Sequence, residues 1–315
     1  MRFLGIDTSN YTTSAAVYED GAICMEKRLL PTAPGALGLR QSDAVFAHVK
    51  QLGEIAEALF AKAGSAPITA AGVSAFPRRE EGSYMPCFLV GETAARVYAA
   101  AAGVPLYRFS HQEGHIMAAL YSAGKMEWRN RPFLAFHLSG GTTDALLVTP
   151  EQGLFTVRQV GGSLDLKAGQ AVDRVGLMLG LSFPCGPQLS ALAAEWEEPV
   201  KVRPVLKGTS CCLSGIENKC AGFQKEGRPA AFIARYCLEA IRAALAGMTE
   251  ALLREFAPEY GELPLLYAGG VMASSVIRER MERDFGGVFA EPQFSSDNAA
   301  GTAILAALTH ERGGV

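Results

Sequence analysis

The sequence predicts an α/β chain made of two similar lobes, each opening on the same β-hairpin, with a nucleotide cleft between them. Three observations predict it. Residues 3–18, FLGIDTSNYTTSAAVY, and residues 133–148, FLAFHLSGGTTDALLV, align without a gap, so that Phe3, Leu4, Ser9, Thr12, Thr13 and Ala15 recur as Phe133, Leu134, Ser139, Thr142, Thr143 and Ala145. In both copies an apolar strand runs into a small polar turn and out into a second apolar strand. Elsewhere short apolar runs alternate with stretches of helical period, and Gly-rich turns follow strands. Two hairpins can look alike by chance, but an ungapped match of this kind is better explained by internal duplication.

In chain order, the first strand is Phe3 to Ile6, followed by a polar turn from Asp7 through Asn10 to Thr13. A second strand, Ala15 to Tyr18, leads to Glu19-Asp20-Gly21, a hairpin signal before a third strand. Residues 43–62 carry a helical period, with Val45, Val49, Leu52, Ile55, Ala56 and Leu59 on one face. Ala70 to Ala75 reads as a buried strand and Phe88 to Ala102 as a helix. A further helix starts near His111, supported by Ile116, Ala119 and Leu120. After the second hairpin comes Leu265 to Ser275: a strand, Gly269-Gly270, and a helix from about Ala273. The last helix covers Ala299 to Leu308. The first lobe is expected over 1–108 with 297–315, and the second over 109–296, with the histidine helix bridging.

Composition narrows the function classes. Of 315 residues, 49% are apolar and 19% charged, which excludes a disordered or collagen-like chain. With 29 basic against 32 acidic residues the net charge is -3. Bulk charge therefore does not grip nucleic acid, and any RNA contact needs a local patch or a partner. No apolar run reaches the length of a membrane span. Asp7 comes too early for a signal-peptide core. Seven cysteines without a C-x-x-C pair fit a reducing cytoplasm better than a disulfide framework or a zinc knuckle.

The polar turns point to anion binding. Ser139-Gly140-Gly141-Thr142-Thr143 places two residues without Cβ beside three hydroxyls, so N–H groups can crowd toward a phosphate. Asp7 is expected to hold a hydrated metal, such as magnesium, at the same phosphates. Gly269 and Gly270 follow a strand and can lie against a base or ribose, although this segment taken alone favours a plain strand-to-helix connection. Neither a G-x-G-x-x-G fingerprint nor a Walker A loop is present.

His111 and His115 stand at i and i+4, one turn apart on one helical face, where both imidazoles reach one ion. Gln112 follows the first histidine, so the general-base glutamate of a zinc metalloprotease is missing. A third ligand must come from far along the chain. Asp297, in Ser295-Ser296-Asp297-Asn298, suits by type, and it is also expected to N-cap the last helix.

These residues together resemble the TsaD family of tRNA threonylcarbamoyladenosine transferases, formerly described as glycoproteases of peptidase M22 type. The resemblance runs through Leu4 to Ser9, His111-x-x-x-His115, Ser139-Gly140-Gly141-x-Thr143, Asp165 to Asp173, Gly180-Leu181, Gly186-Pro187, Leu213-Ser214-Gly215, Ala268 to Val271 and Ser296-Asp297-Asn298. It implies the actin, sugar-kinase and Hsp70 (ASKHA) superfold. It implies one iron or zinc ion on His111, His115 and Asp297, phosphate at Ser139, Gly140 and Gly141, and adenine near Gly269 and Gly270. It also implies a threonyl or ribose contact from Asp165. The implied chemistry is transfer of a threonylcarbamoyl group from an acyl-adenylate to the adenosine beside the tRNA anticodon. Implied partners are tRNA, a smaller inactive paralogue, a P-loop ATPase and a threonylcarbamoyl-adenylate synthase.

The chain departs from the family pattern at Asn10-Tyr11-Thr12, where Cys-Asp-Glu is usual, at Thr142 for histidine, at Arg78-Arg79 for a Gly-Pro-Gly segment, at Leu166 for aspartate and at Ser274 for asparagine. The metal set is kept while substrate contacts change, as in a divergent paralogue. Three readings follow: a threonylcarbamoyl transferase or a carbamoyl transferase with another acceptor, an ATP- or ADP-binding paralogue that regulates a partner, and a peptidase, disfavoured for want of a base. Arg78 to Glu81 is expected to form a solvated loop, and His137 a core histidine at a strand end.

Overall fold

A computed structural model describes residues 1–9, 11–31 and 39–313. Asn10 of the expected polar turn lies outside the described residues. The chain divides into two compact units, Met1–Met126 with Asp297–Val315, and Glu127–Ser296.

The first unit opens with β1 (Arg2–Asp7), β2 (Thr12–Glu19) and β3 (Ala22–Leu29), then α1 (Gln41–Ala63), β4 (Ala70–Phe76), α2 (Phe88–Ala102), β5 (Leu106–Ser110) and α3 (His111–Ser122). Its sheet runs β3-β2-β1-β4-β5. β1 is central, antiparallel to β2 and parallel to β4, and so is buried along its length. Leu4, Ile6, Val17 and Val73 of the sheet pack against Ile55 and Leu59 of α1. The buried line of α1 runs through Ala44, His48, Ile55 and Leu59. Val49, expected on that face, is exposed. His48 takes the inner place because Thr13 Oγ1 lies 2.8 Å from its Nδ1.

The second unit repeats the plan. β6 (Phe133–Leu138), β7 (Thr143–Glu151) and β8 (Leu154–Gly162) are followed by α4 (Ala168–Met178), α5 (Gly186–Ala194), the short β9 (Val205–Lys207) and β10 (Ser210–Cys212), α6 (Gly215–Lys225) and the long α7 (Ala230–Tyr260). Then come β11 (Leu265–Ala268), a 3-10 turn at Gly270–Ala273, α8 (Ser275–Phe285), β12 (Val288–Phe289) and α9 (Pro292–Ser295). The helix expected from Ala273 therefore begins at Ser275. Leu134, Phe136 and Tyr267 of the sheet meet Val172, Ile241 and Met248 of α4 and α7. α10 (Ala300–Glu311) returns to the first unit.

The duplication is visible in register. Phe3 pairs with Tyr18, Ile6 with Ala15 and Asp7 with Ser14; their counterparts Phe133, Phe136 and His137 pair with Val148, Ala145 and Asp144. Read outward from the second hairpin, the sheet order β8-β7-β6-β11-β12 repeats that of the first. Both units join their second and third strands through two residues at positive φ, Asp20-Gly21 and Gln152-Gly153, the backbone of a type I′ turn that matches strand twist.

One boundary differs from expectation. α3, assigned by sequence to the second lobe, belongs to the first unit. The reason is a close crossing with α10: a Cβ on Gly301 would collide with the backbone oxygen of Gly114, and Gly114 lies against Thr302. Two helices whose backbones touch this way are packed into the same unit. No described helix is long and apolar enough to cross a membrane, and all seven cysteines are free.

Candidate functional site

α3 begins where β5 ends. Ser110 caps it: its hydroxyl accepts from the Glu113 N–H at 3.1 Å, and Glu113 Oε2 accepts from the Ser110 N–H at 2.7 Å. This capping box has the sequence signature Ser110-x-x-Glu113. It fixes the first turn, and with it His111 and His115. The second oxygen of Glu113 accepts from Arg79 Nε at 2.8 Å. Glu113 is thus committed to the helix end and to Arg79. Arg79, expected in a solvated loop, is in part an anchor.

Asp297 arrives from the other end of the chain. Its Oδ1 lies 3.4 Å from His111 Nε2 and 3.3 Å from His115 Nε2. One ligand atom from each of the three lies within 4.8 Å of the others, and among the described residues this is the one such group of three or more His, Cys, Asp or Glu. Asp297 does not cap α10, contrary to expectation. The N-cap position is Ala299, which has no side-chain acceptor; the Ala300 N–H donates instead to Asn298 Oδ1 at 3.1 Å and the Ala299 N–H to Ser14 Oγ at 3.1 Å. Asp297 is left facing the imidazoles.

Beneath these groups the sheet presents a polar row. Ser14 stands opposite Asp7 on one side and Lys27 on the other. Asp7 is 1% exposed, and it touches His111 and Ser74 rather than solvent. Both of its oxygens accept hydrogen bonds inside the unit, from Ser9, Ser74 and His111. Lys27 interacts with Asp297 electrostatically.

Charge in this cluster is strongly coupled. Burial opposes charge on His111, but the neighbouring Asp7, with hydrogen bonds to Asp297 and Asp7, outweighs it and pushes the imidazole up to about 10. His115 goes the other way, lowered by burial and by the charge on His111. Burial would raise Asp297, yet its hydrogen bonds to His111 and His115 hold it well below the usual carboxylate range. Two imidazoles and a carboxylate form an N,N,O donor set that suits zinc, or iron with open positions, and suits calcium and magnesium poorly.

The other expected site residues lie in the second unit. Gly140 and Gly141 are exposed, whereas the hydroxyls around them serve the turn itself. Ser139 Oγ accepts from the Thr142 N–H at 3.1 Å, and Thr143 Oγ1 donates to the Thr142 carbonyl while accepting from the Ala168 N–H at 2.8 Å. The start of α4 packs on this turn, with Gly169 N–H donating to the Ser139 carbonyl at 3.0 Å. Gly269, at φ 99°, abuts the backbone of Leu138, where any side chain would clash. The Gly269-Gly270 turn and the Ser139–Thr143 turn are therefore neighbours at the carboxyl ends of parallel strands β11 and β6.

Ser274 pairs with Ser190 of α5 at 3.1 Å between hydroxyls, and Gly186 opens that helix. Asp165 is bound on all sides: it accepts from Ser163 Oγ, from the N–H groups of Leu166, Leu213 and Ser214, and from Ser214 Oγ. Slight burial is outweighed by the Ser214 hydroxyl and these N–H groups, which hold its carboxyl at about 2. His137 is buried opposite Asp144, as a core histidine.

A family model described as "TsaD: tRNA N6-adenosine threonylcarbamoyltransferase" matches residues 37–304. A tRNA N6-adenosine threonylcarbamoyltransferase of Thermus thermophilus is 35% identical over 322 residues, covering 99% of this chain and 94% of the relative. Component A of the (R)-2-hydroxyglutaryl-CoA dehydratase of Acidaminococcus fermentans superposes with a TM-score of 0.56 at 16% identity, covering 97% of both chains. A ROK family glucokinase from Streptomyces griseus superposes with a TM-score of 0.52 at 14% identity, covering 98% of this chain and 99% of the glucokinase. At such identities the structural likeness speaks for the fold alone, which is the ASKHA superfold with its two mixed five-stranded sheets.

Proposed function

The chain belongs to the TsaD family of tRNA N6-adenosine threonylcarbamoyltransferases, and from that premise we propose that it moves a threonylcarbamoyl group from an acyl-adenylate to the exocyclic amine of the adenosine beside the tRNA anticodon. The observation that carries the chemical part is the convergence of His111, His115 and Asp297. We assign them to one divalent ion, iron or zinc. Such an ion supplies Lewis acidity at a carbamoyl or phosphoryl oxygen.

The chain's own residues bind and orient. The N–H groups of Gly140 and Gly141, with the start of α4 packed on their turn, offer donors to the phosphate of the departing adenylate. Gly269 and Gly270 offer bare backbone to the adenine. Asp165 shapes this edge by holding the backbone at 163–166 and 213–214 together, rather than by touching the threonyl group. With a net charge of -3, the chain shares the grip on tRNA with basic partner proteins, and its adenylate comes from an ATP-consuming synthase.

The test is transfer itself. Purified chain, supplied with threonylcarbamoyl-adenylate, substrate tRNA and the host's partner proteins, is expected to yield the modified adenosine, and His111→Ala to yield none. Metal-loaded protein that binds ATP yet neither modifies tRNA nor rescues cells lacking their transferase would contradict the proposal. That outcome favours the regulatory ATP- or ADP-binding paralogue suggested by Tyr11 and Thr12.

A further inference from the structure

Asp7 stands outside the three proposed ligands and yet fixes one of them. Its Oδ1 accepts from the Ser9 N–H at 2.8 Å and from the Ser9 hydroxyl. Its Oδ2 accepts from Ser74 Oγ at 2.7 Å and from His111 Nδ1 at 2.9 Å. Four donors on two oxygens leave this buried carboxylate a single orientation. Ser74 is held in turn, 3.2 Å from Thr302 Oγ1 on α10. The network therefore ties β1, β4, α3 and α10 together at one point, just behind the histidine ring.

The direction of the ring matters. Nδ1 faces Asp7 while Nε2 faces Asp297. An ionised carboxylate can only accept, so Nδ1 carries the hydrogen, and the neutral ring keeps its lone pair on Nε2. We infer that Asp7 is a positioning residue: it locks His111 in the Nδ1–H tautomer and aims Nε2 at the cation. A carboxylate behind a metal-bound imidazole sets both its angle and its basicity. The same strand position in the second hairpin is His137, opposite Asp144, so the device belongs to one copy of the duplication.

The inference rests on the reading of His111, His115 and Asp297 as metal ligands, and the experiment separates the two. The apo full-length chain is titrated with zinc against a chromophoric chelator, and with cobalt for its visible spectrum, in wild type, Asp7→Asn, Asp7→Ala and His115→Ala, each checked for native circular dichroism. Asp7→Ala is expected to lose about 10- to 100-fold in zinc affinity and to alter the cobalt spectrum. Asp7→Asn, which keeps an acceptor oxygen and loses the charge, falls between, and it decides the matter if Asp7→Ala does not fold. If His115→Ala loses zinc while the folded Asp7 variants keep wild-type affinity and spectrum, the positioning role is overturned and the ligand set stands. If His115→Ala binds zinc as wild type does, the ligand set falls and the inference with it.

Discussion

Asp297 and Asn298 are neighbours with nearly the same side chain, and they divide two tasks. Asn298 satisfies the first free N–H of α10, which releases the Asp297 carboxylate to face two imidazoles. The histidines differ as well. Without a cation, His111 keeps a proton up to about pH 10 because Asp7 and Asp297 flank it, whereas His115 is pushed down and is neutral at pH 7. Both carboxylates are depressed and stay ionised. A metal ion binds only the neutral imidazole, so it must displace the His111 proton. Affinity should therefore rise with pH, by about tenfold per unit through the neutral range, with about one proton released per ion. Calorimetry in buffers of different ionisation enthalpy reads that proton directly. A heat independent of buffer would contradict the assignment.

At the scale of elements, the site depends on how closely α3 and α10 cross. Gly114 and Gly301 meet backbone to backbone, and this crossing brings His111 and His115 to Asp297. Gly301→Ala is expected to destabilise the chain by about 1–3 kcal/mol through overpacking and to weaken zinc binding as well. Gly53 of α1 has open space around it, so Gly53→Ala should be neutral or stabilise by up to about 1 kcal/mol. Thermal melts of the two variants with and without zinc test the contrast, and equal effects would contradict it.

In the second unit the long α7 carries a different constraint. Glu239, 1% exposed, accepts from Arg235 at 3.0 Å and Arg242 at 2.6 Å. Arg280 lies 3.8 Å from the same carboxylate, so Glu239→Ala leaves three partly buried guanidinium groups without it, and a loss of about 3–5 kcal/mol is expected on urea denaturation. A loss below about 1 kcal/mol would show the cluster to be a solvated surface pairing.

Across the whole molecule, the features legible in the sequence were those that repeat at short range. The hairpin duplication could be read because register follows the alternation of side chains, and the two units keep it residue by residue. The histidine pair could be read because helical spacing alone puts both rings on one face. The row of Lys27, Ser14, Asp7 and Ser74 could not be read, since it forms only when separate strands pair. Nor could the exposure of Val49, which depends on Thr13 drawing His48 inward. The place of α3 was hidden for a similar reason. A glycine inside a helix weakens it, and only the folded chain shows that Gly114 makes room for Gly301.

The proposed cation site, built from residues of two distant parts of the chain, underlies both the proposed transfer and the role given to Asp7. Metal analysis of the purified full-length protein tests this most directly, alongside His111→Ala, His115→Ala and Asp297→Ala. About one equivalent of iron or zinc per wild-type chain is expected, with loss of that metal in each folded variant. Wild-type protein without stoichiometric metal after reconstitution, or variants that keep a full equivalent, would contradict it.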